Sequence, residues 1–549
     1  AEGRSIVYVS DRGGAENVWT RPASAAGSDR KVTAFTDGRV LWPSITTDGR
    51  TVAFERDFGI WTVDLASGQA REVKITRRGV PSVPVPERVR QTAGFSDLAV
   101  SPDGKKVAFV ARGDVFAASL ADGGDATRVT TTAGFESQPV WSADSRSLAY
   151  VSARNNTTHI YRYDFTTRVE TTLTSGMGDD LSPQFSSDGT QLAYLRNRTD
   201  LRVIDLASRA ERSVSTGAFG DAIDRPQPMW SPDGRWIALF AVGEKQFTNV
   251  SLAPVAADAE PKVTQPVSFL ANVYSDSIAW GRDGSFLLFA TSQRTERGQL
   301  ARVDLTLRTP RFREDLFRDL FAQPTRTSPG APEPAPLPAA AAGAPRASAP
   351  PRTAPVFADI RRRLSLLPTG LDVQAVTTSP DGKWALITAD AAGQTNLYLW
   401  SLDDLARDGG VARQLTSTGG AKSDAQFTPD SREVVYLEGG RVTAISVDRR
   451  ESRPIAVTAE YLLDFDREKA ELFTQAWTLL RDNFYDPAFH GVNWVAQRDA
   501  YAPRIAGAAN ADELRRILRL MIGDLNASHL GLNAPPPGAF SPRCDAFKS

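Results

Sequence analysis

Most of the chain alternates short apolar runs with polar turns. Val107-Ala108-Phe109-Val110, Leu148-Ala149-Tyr150-Val151, Leu192-Ala193-Tyr194-Leu195 and Trp236-Ile237-Ala238-Leu239-Phe240 each follow such a turn. An unbroken apolar run of this length reads as a strand covered on both faces. Next comes an alternating strand that ends at an acid, as in Ile160-Tyr161-Arg162-Tyr163-Asp164 and Leu201-Arg202-Val203-Ile204-Asp205. A last run heads towards Leu-Thr, as at Leu173-Thr174 and Leu415-Thr416. The turn recurs in the style of Ser101-Pro102-Asp103-Gly104 and Ser231-Pro232-Asp233-Gly234. Pro presets φ, Asp bonds back to the turn backbone, and Gly accepts positive φ.

The turn acids fall at Asp48, Asp103, Asp144, Asp188, Asp233, Asp283, Asp381 and Asp430, so the steps are 55, 41, 44, 45, 50, 98 and 49 residues. A period of about 40–50 residues with four short strands predicts β-propeller blades. The 98-residue step contains a Pro- and Ala-rich stretch at 323–356, which cannot supply ladder donors and reads as a disordered insertion. Without its 34 residues the step is 64, one blade with long loops. The 55-residue step contains Pro81-Ser82-Val83-Pro84-Val85-Pro86, a stiff connector. The fold class expected is therefore mainly β: a seven-bladed propeller at 87–457, preceded at 1–86 by the last two blades of another, the first of them lacking a strand.

After Val457 the period changes to about 3.6, and a small α-helical subdomain is expected at 458–532. Phe473, Ala476, Trp477, Leu480 and Phe484 share one helical face, with Asp464 or Asp466 as cap. Pro487 ends that helix, and a second helix starts at Asn493. In a third, Asn510 and Glu513 form a variant capping box ahead of a stripe of Leu514, Ile517, Leu518, Met521 and Leu525, and Gly523 helps to close it. A turn and a short strand are expected over 526–532, and 533–549 reads as a tail or linker.

Composition narrows the chemistry. A net charge of −1 over 549 residues gives no electrostatic case for nucleic acid. One cysteine, Cys544, excludes a disulfide framework within the chain, and three histidines leave little for a metal site, so no metal and no cofactor are expected. The Asp-Gly turns lack the oxygen-ligand spacing of a calcium loop. No apolar run is long enough to span a membrane. Trp141, Trp230 and Trp280 occupy the same place before their turns and read as blade packing. Arg361-Arg362-Arg363 reads as a solvated strand, and His159 and His490 as structural.

Three stretches of the last 90 residues carry a resemblance. They are Trp477-Thr478-Leu479-Leu480-Arg481-Asp482-Asn483-Phe484-Tyr485-Asp486, then His490-Gly491-Val492-Asn493-Trp494, then Met521-Ile522-Gly523-Asp524-Leu525-Asn526-Ala527-Ser528-His529. The region from Tyr461 to Leu532 resembles the first catalytic subdomain of tricorn-type serine peptidases. The order of a propeller end, a seven-bladed propeller and helices matches that family. The resemblance implies that His529 is a general base and that Ser528 orients it and links it to a glutamate. The nucleophilic serine would come from a second catalytic subdomain that, like the PDZ domain, is not within these residues. By itself the chain is expected to hold half an active site and to be inactive, as though clipped at both ends. No Gly-x-Ser-x-Gly elbow occurs. The chemistry is coherent, because a serine hydroxyl needs an imidazole to take its proton and that imidazole needs a partner to fix its tautomer.

The resemblance further implies oligopeptide substrates filtered by the propellers, and a homo-oligomer, a hexamer in the family. It leaves the location periplasmic or cytoplasmic, periplasmic for a bacterial source. A rival reading is a non-enzymatic, TolB-like propeller scaffold for protein binding. A prolyl-oligopeptidase type would need an α/β-hydrolase domain, which the helices after Val457 do not begin.

Overall fold

The computed structural model describes residues 3–308 and 352–532, apart from 4, 25–26, 77–85, 133, 155–156, 221–226, 244, 275–276, 294–295, 404, 407–408 and 529. Most of the connector at 81–86, most of the insertion and the tail at 533–549 lie outside the described residues. The chain divides into two compact units, 1–83 and 84–549.

The first unit holds a three-stranded sheet (Ser5–Ser10, Asn17–Pro22, Arg30–Lys31) and a four-stranded sheet running from Leu41–Ile45 to Ala70–Glu72. Val18, Val32, Val40, Val52, Phe54 and Val63 pack between them.

Among its described residues the second unit holds seven sheets, antiparallel but for one parallel pair in the first, that close into a ring. The pattern of burial explains both the closure and the apolar runs. In the strand Lys106–Ala111, Val107 and Phe109 pack against the seventh sheet, while Ala108 and Val110 pack against the second. In Ser147–Arg154, Leu148 and Tyr150 face the first sheet and Ala149 and Val151 the third. A period of two thus sends alternate side chains to opposite neighbours, so both sets must be apolar. Each of the seven junctions has its own buried cluster, including the one joining last to first.

The repeated words have structural duties. Ser101 Oγ donates to Asp103 Oδ1 at 2.6 Å and accepts from Lys106 N at 2.9 Å, while Asp103 Oδ1 also accepts from Lys105 N. The Ser-Asp bond recurs at 142/144, 186/188, 231/233 and 379/381, with Thr in place of Ser at 428/430. Neighbouring turns are laced together, with Asp103 N on Ser145 Oγ and Asp381 N on Ser431 Oγ, both at 3.0 Å. The three tryptophans before the turns staple each sheet to the one before it. Trp141, Trp230 and Trp280 donate their indole N–H to Ala99 O, Gln184 O and Met229 O, at 3.2, 3.0 and 2.9 Å.

The structure corrects two boundaries and one element. The helical period does not begin at 458, because Val457–Leu463 is a strand, parallel to Gly123–Arg128 and antiparallel to Glu87–Gln91 on the outer edge of the first sheet. The insertion between the third and fourth strands of the fifth sheet does not extend to 356. Thr353 is buried and its N–H reaches Asp233 Oδ2 at 2.6 Å, and Val356 N reaches Leu305 O at 2.8 Å. Arg361-Arg362-Arg363 belongs to a 3-10 turn, Ile360–Arg363, not a strand. There Arg361 lies over the Phe269 ring and Arg363 donates to the Leu305 and Ala358 carbonyls.

Candidate active site

Directly after the closing strand the chain enters three helices: α1 (Phe465–Asn483), α2 (Trp494–Gly507) and α3 (Ala511–Gly523). Their capping residues are Asp464, Asn493 and Asn510, each accepting N–H bonds from the first turn, as the sequence pattern predicts. Glu513 closes the third box by accepting from Ala509 N at 2.8 Å. Phe473, Trp477, Trp494, Tyr501 and the whole predicted stripe of α3 form one core. Of the predicted α1 face, Ala476, Leu480 and Phe484 are only partly buried. Buried Lys469 joins α1 to the end of α2, donating to Ala506 O and Ala508 O at 2.7 and 2.9 Å, the position where a cation suits the helix dipole. Arg112, at a hairpin of the first sheet, grips Glu468 of α1 with two bonds of 2.5 and 2.6 Å and so ties the helices to the ring.

The Ser528-His529 pair follows α3. Asp524 caps that helix and accepts from Tyr501 Oη at 2.6 Å; Leu525 is fully buried. Asn526 turns the chain with φ 46°, and Ser528 is exposed to solvent. His529 lies outside the described residues. The short strand expected after it is absent: the described residues from 530 to 532 pair with no strand, and Leu532 O accepts from Arg519 Nε at 2.9 Å. A segment without a neighbouring edge has side chains and water to meet its backbone groups.

The loop between α1 and α2 reaches the same place. His490 Nδ1 lies 2.8 Å from Leu525 O, and Nε2 is bonded to the Tyr485 hydroxyl. A carbonyl only accepts, so Nδ1 carries the proton, and in the neutral ring Nε2 accepts from Tyr485. Asp486 Oδ1 accepts from Ala488 N and Oδ2 from His490 N, at 2.9 and 2.8 Å, and these bonds hold its carboxyl below the ordinary value. Tyr485, Tyr501 and Arg519 were not singled out by sequence reasoning, although Tyr485 and His490 stand inside the words that carry the resemblance. His159 lies far along the chain, with Nδ1 3.2 Å from buried Asp180 of the next sheet, which Arg196 also holds. Among the described residues no group of three acids, histidines or cysteines could hold a metal, and no helix is long and apolar enough to cross a membrane.

Comparison with known proteins gives two family matches: the TolB beta propeller domain over residues 94–316 and the tricorn protease C1 domain over 465–523. Tricorn protease homolog 1 of Streptomyces coelicolor is 25% identical over 120 residues, 20% of this chain and 11% of that protein. Homolog 2 of the same organism is 36% identical over 62 residues, 11% of this chain and 5% of the relative. A crystal structure of the tricorn protease superposes with a TM-score of 0.67 over 96% of this chain, at 15% identity. That alignment covers 50% of the solved chain, so the present chain spans about half its length.

Proposed function

We propose that this chain, whose helices match the tricorn protease C1 domain, carries the propeller gate and the general-base half of a tricorn-type serine peptidase that hydrolyses oligopeptides. The observation that carries the reading is the tricorn C1 match to 465–523, the three helices that lead into Ser528-His529. Residues 1–86 are then the last blades of a first propeller, the ring is the second, and the helices are the first catalytic subdomain. His529 takes the proton of a serine hydroxyl supplied by polypeptide outside these 549 residues as that oxygen attacks the scissile carbonyl. It returns the proton to the leaving amine, and a water molecule repeats the sequence on the acyl-enzyme. Ser528 orients the imidazole. A peptide reaches the site along the ring, which excludes folded proteins by size.

The test offers fluorogenic oligopeptides and a fluorophosphonate probe to the purified chain. We expect neither turnover nor labelling from these residues alone. Turnover with labelling of a serine in this chain, lost in His529→Ala, overturns the division of roles. The match of 94–316 to the TolB beta propeller domain favours a second reading, a scaffold that binds proteins. Fluorescence anisotropy separates the two: short unstructured peptides bind under the first reading, and only a folded partner binds under the second.

A further inference from the structure

The loop joining α1 to α2 is held in an uncommon shape. Phe489, His490 and Gly491 have φ of 50°, 52° and 82°, three successive residues in the left-handed region. Two of them carry side chains and are strained there, and such strain persists only where surrounding contacts over-determine it. Asp486 provides two of those contacts through the Ala488 and His490 N–H groups. Stacking of Phe489 on Trp494, with ring centroids 5.6 Å apart and planes at 5°, provides a third. The result is that the His490 ring meets Leu525 O, 35 residues further along the chain.

Leu525 O and the Asn526 N–H, which donates to Gly523 O at 3.0 Å, are the last backbone groups fixed as the chain enters the exposed turn at 526–528. The segment is held on both sides of that turn. Tyr501 binds the Asp524 carboxylate, His490 binds Leu525 O, and Arg519 binds Leu532 O. We propose that His490 is a positioning residue: through Leu525 O it fixes the register in which the chain leaves α3 and reaches Ser528, with Tyr485 holding the imidazole in the tautomer this requires. The proposal rests on the reading of His529 as the general base, but its test does not depend on turnover.

The experiment uses the full chain with ring-labelled histidine and three variants. His490→Asn keeps a donor where Nδ1 stands and tolerates the left-handed region. His490→Gly removes the donor without adding strain. Tyr485→Phe removes the hydroxyl that sets the tautomer. Ring 15N spectra should show His490 protonated on Nδ1 in the wild type, and Tyr485→Phe should change that signature. Amide exchange over 524–532 should rise roughly 3–10-fold in His490→Gly, the factor one hydrogen bond sustains. It should return towards wild type in His490→Asn, and the His529 ring signals should follow the same order. Exchange within α1 and α3 serves as the folding control and should not change. The proposal is overturned if exchange over 524–532 is unaltered in His490→Gly, if Asn does not restore it, or if the His529 signals stay fixed while exchange changes. Failure of the peptidase reading would instead appear in the anisotropy assay, as binding of a folded partner and not of unstructured peptides, with these exchange results intact.

Discussion

Trp477 and Trp494 exchange hydrogen bonds: the indole N–H of Trp477 donates to the carbonyl of Trp494 at 2.9 Å, and the indole of Trp494 donates to the carbonyl of Trp477 at 3.1 Å. Both residues are buried, and the pair joins the middle of α1 to the first residue of α2. The Trp494 carbonyl starts a helix and accepts an indole, so neither ring can be replaced by a hydrocarbon without loss. Trp477→Phe should lower the stability of the helical subdomain by about 1–3 kcal/mol, the cost of an unpaired buried polar group plus lost ring area. Denaturant titration monitored by near-ultraviolet circular dichroism checks it. A variant within a few tenths of a kcal/mol of wild type would show the exchange to be energetically idle.

The ring's stability should fall between mildly acidic and neutral pH, because of one carboxyl. Glu136 is fully buried; burial pushes it up to about 7, opposed by hydroxyl bonds from Thr132 and Ser152, and the nearby Asp114 adds to the rise. Its Oε2 has no hydrogen-bond partner among the described residues. A carboxyl whose native value lies above its unfolded one holds its proton more tightly when folded. Its contribution is therefore full below about 4.5, declines as pH rises, and is lost above about 7. The swing is on the order of 3 kcal/mol. Asp103 acts in a separate window. Burial raises it, but Lys106, Ser101 and the Lys105 N–H outweigh burial and lower it to about 2, so its contribution is lost only in strong acid. Urea midpoints at pH 5 and pH 8 should differ in the wild type, and the difference should shrink in Glu136→Gln.

What could be read in the chain was whatever is decided locally. The Ser-Pro-Asp-Gly turns, the capping residues and the α3 stripe depend on residues a few positions apart, and their signatures survive in one sequence. The strand Val457–Leu463 was not legible, because Ala459, Glu460 and Leu462 are good helix formers and its true partner, Glu87–Gln91, lies some 370 residues away. The same holds for the site. Ser528 and His529 stand out as a word, whereas the contact of His490 with Leu525 O exists only once an αL loop has folded back. Trp141, Trp230 and Trp280 fall between these cases: their place before the turn was visible, but not the carbonyl each one reaches.

Turn glycines with equal backbone angles should differ in cost according to what stands beside them. Gly104 and Gly234 have φ of 67° and 70°. A Cβ on Gly234 meets nothing within 4 Å, so Gly234→Ala should cost only the left-handed conformation, about 1–2 kcal/mol. A Cβ on Gly104 would sit 3.1 Å from Cδ of Pro429, in the turn of the seventh sheet. Gly104→Ala should therefore cost more, by disturbing the junction where the ring closes. Thermal or urea unfolding of the two variants in parallel gives the comparison, and equal losses would contradict a close approach of those two turns.

The Leu-Thr ending of the repeats should prove to be a latch rather than a strand preference. In the sixth sheet Thr416 Oγ1 accepts from Leu397 N at 2.9 Å and donates to Asn396 Oδ1 at 3.0 Å, and all three residues are buried. The arrangement repeats with Thr33 on Val18 and Asn17, Thr130 on Val115 and Asp114, and Ser268 on Val250 and Asn249. In the second sheet Thr174 takes the Ile160 N–H, but His159 stands where those four sheets have an amide or acid. One hydroxyl thus satisfies both a strand N–H that finds no ladder partner and the side chain beside it. Thr416→Val keeps the shape and β-branching but strands both partners, so it should cost about 2–4 kcal/mol, one to three for each orphaned group less some relaxation. Thr416→Ser keeps the hydroxyl and should cost under about 1.5 kcal/mol, the loss of one methyl. If urea unfolding ranks Val above Ser in stability, strand propensity and not the hydroxyl explains the repeated word.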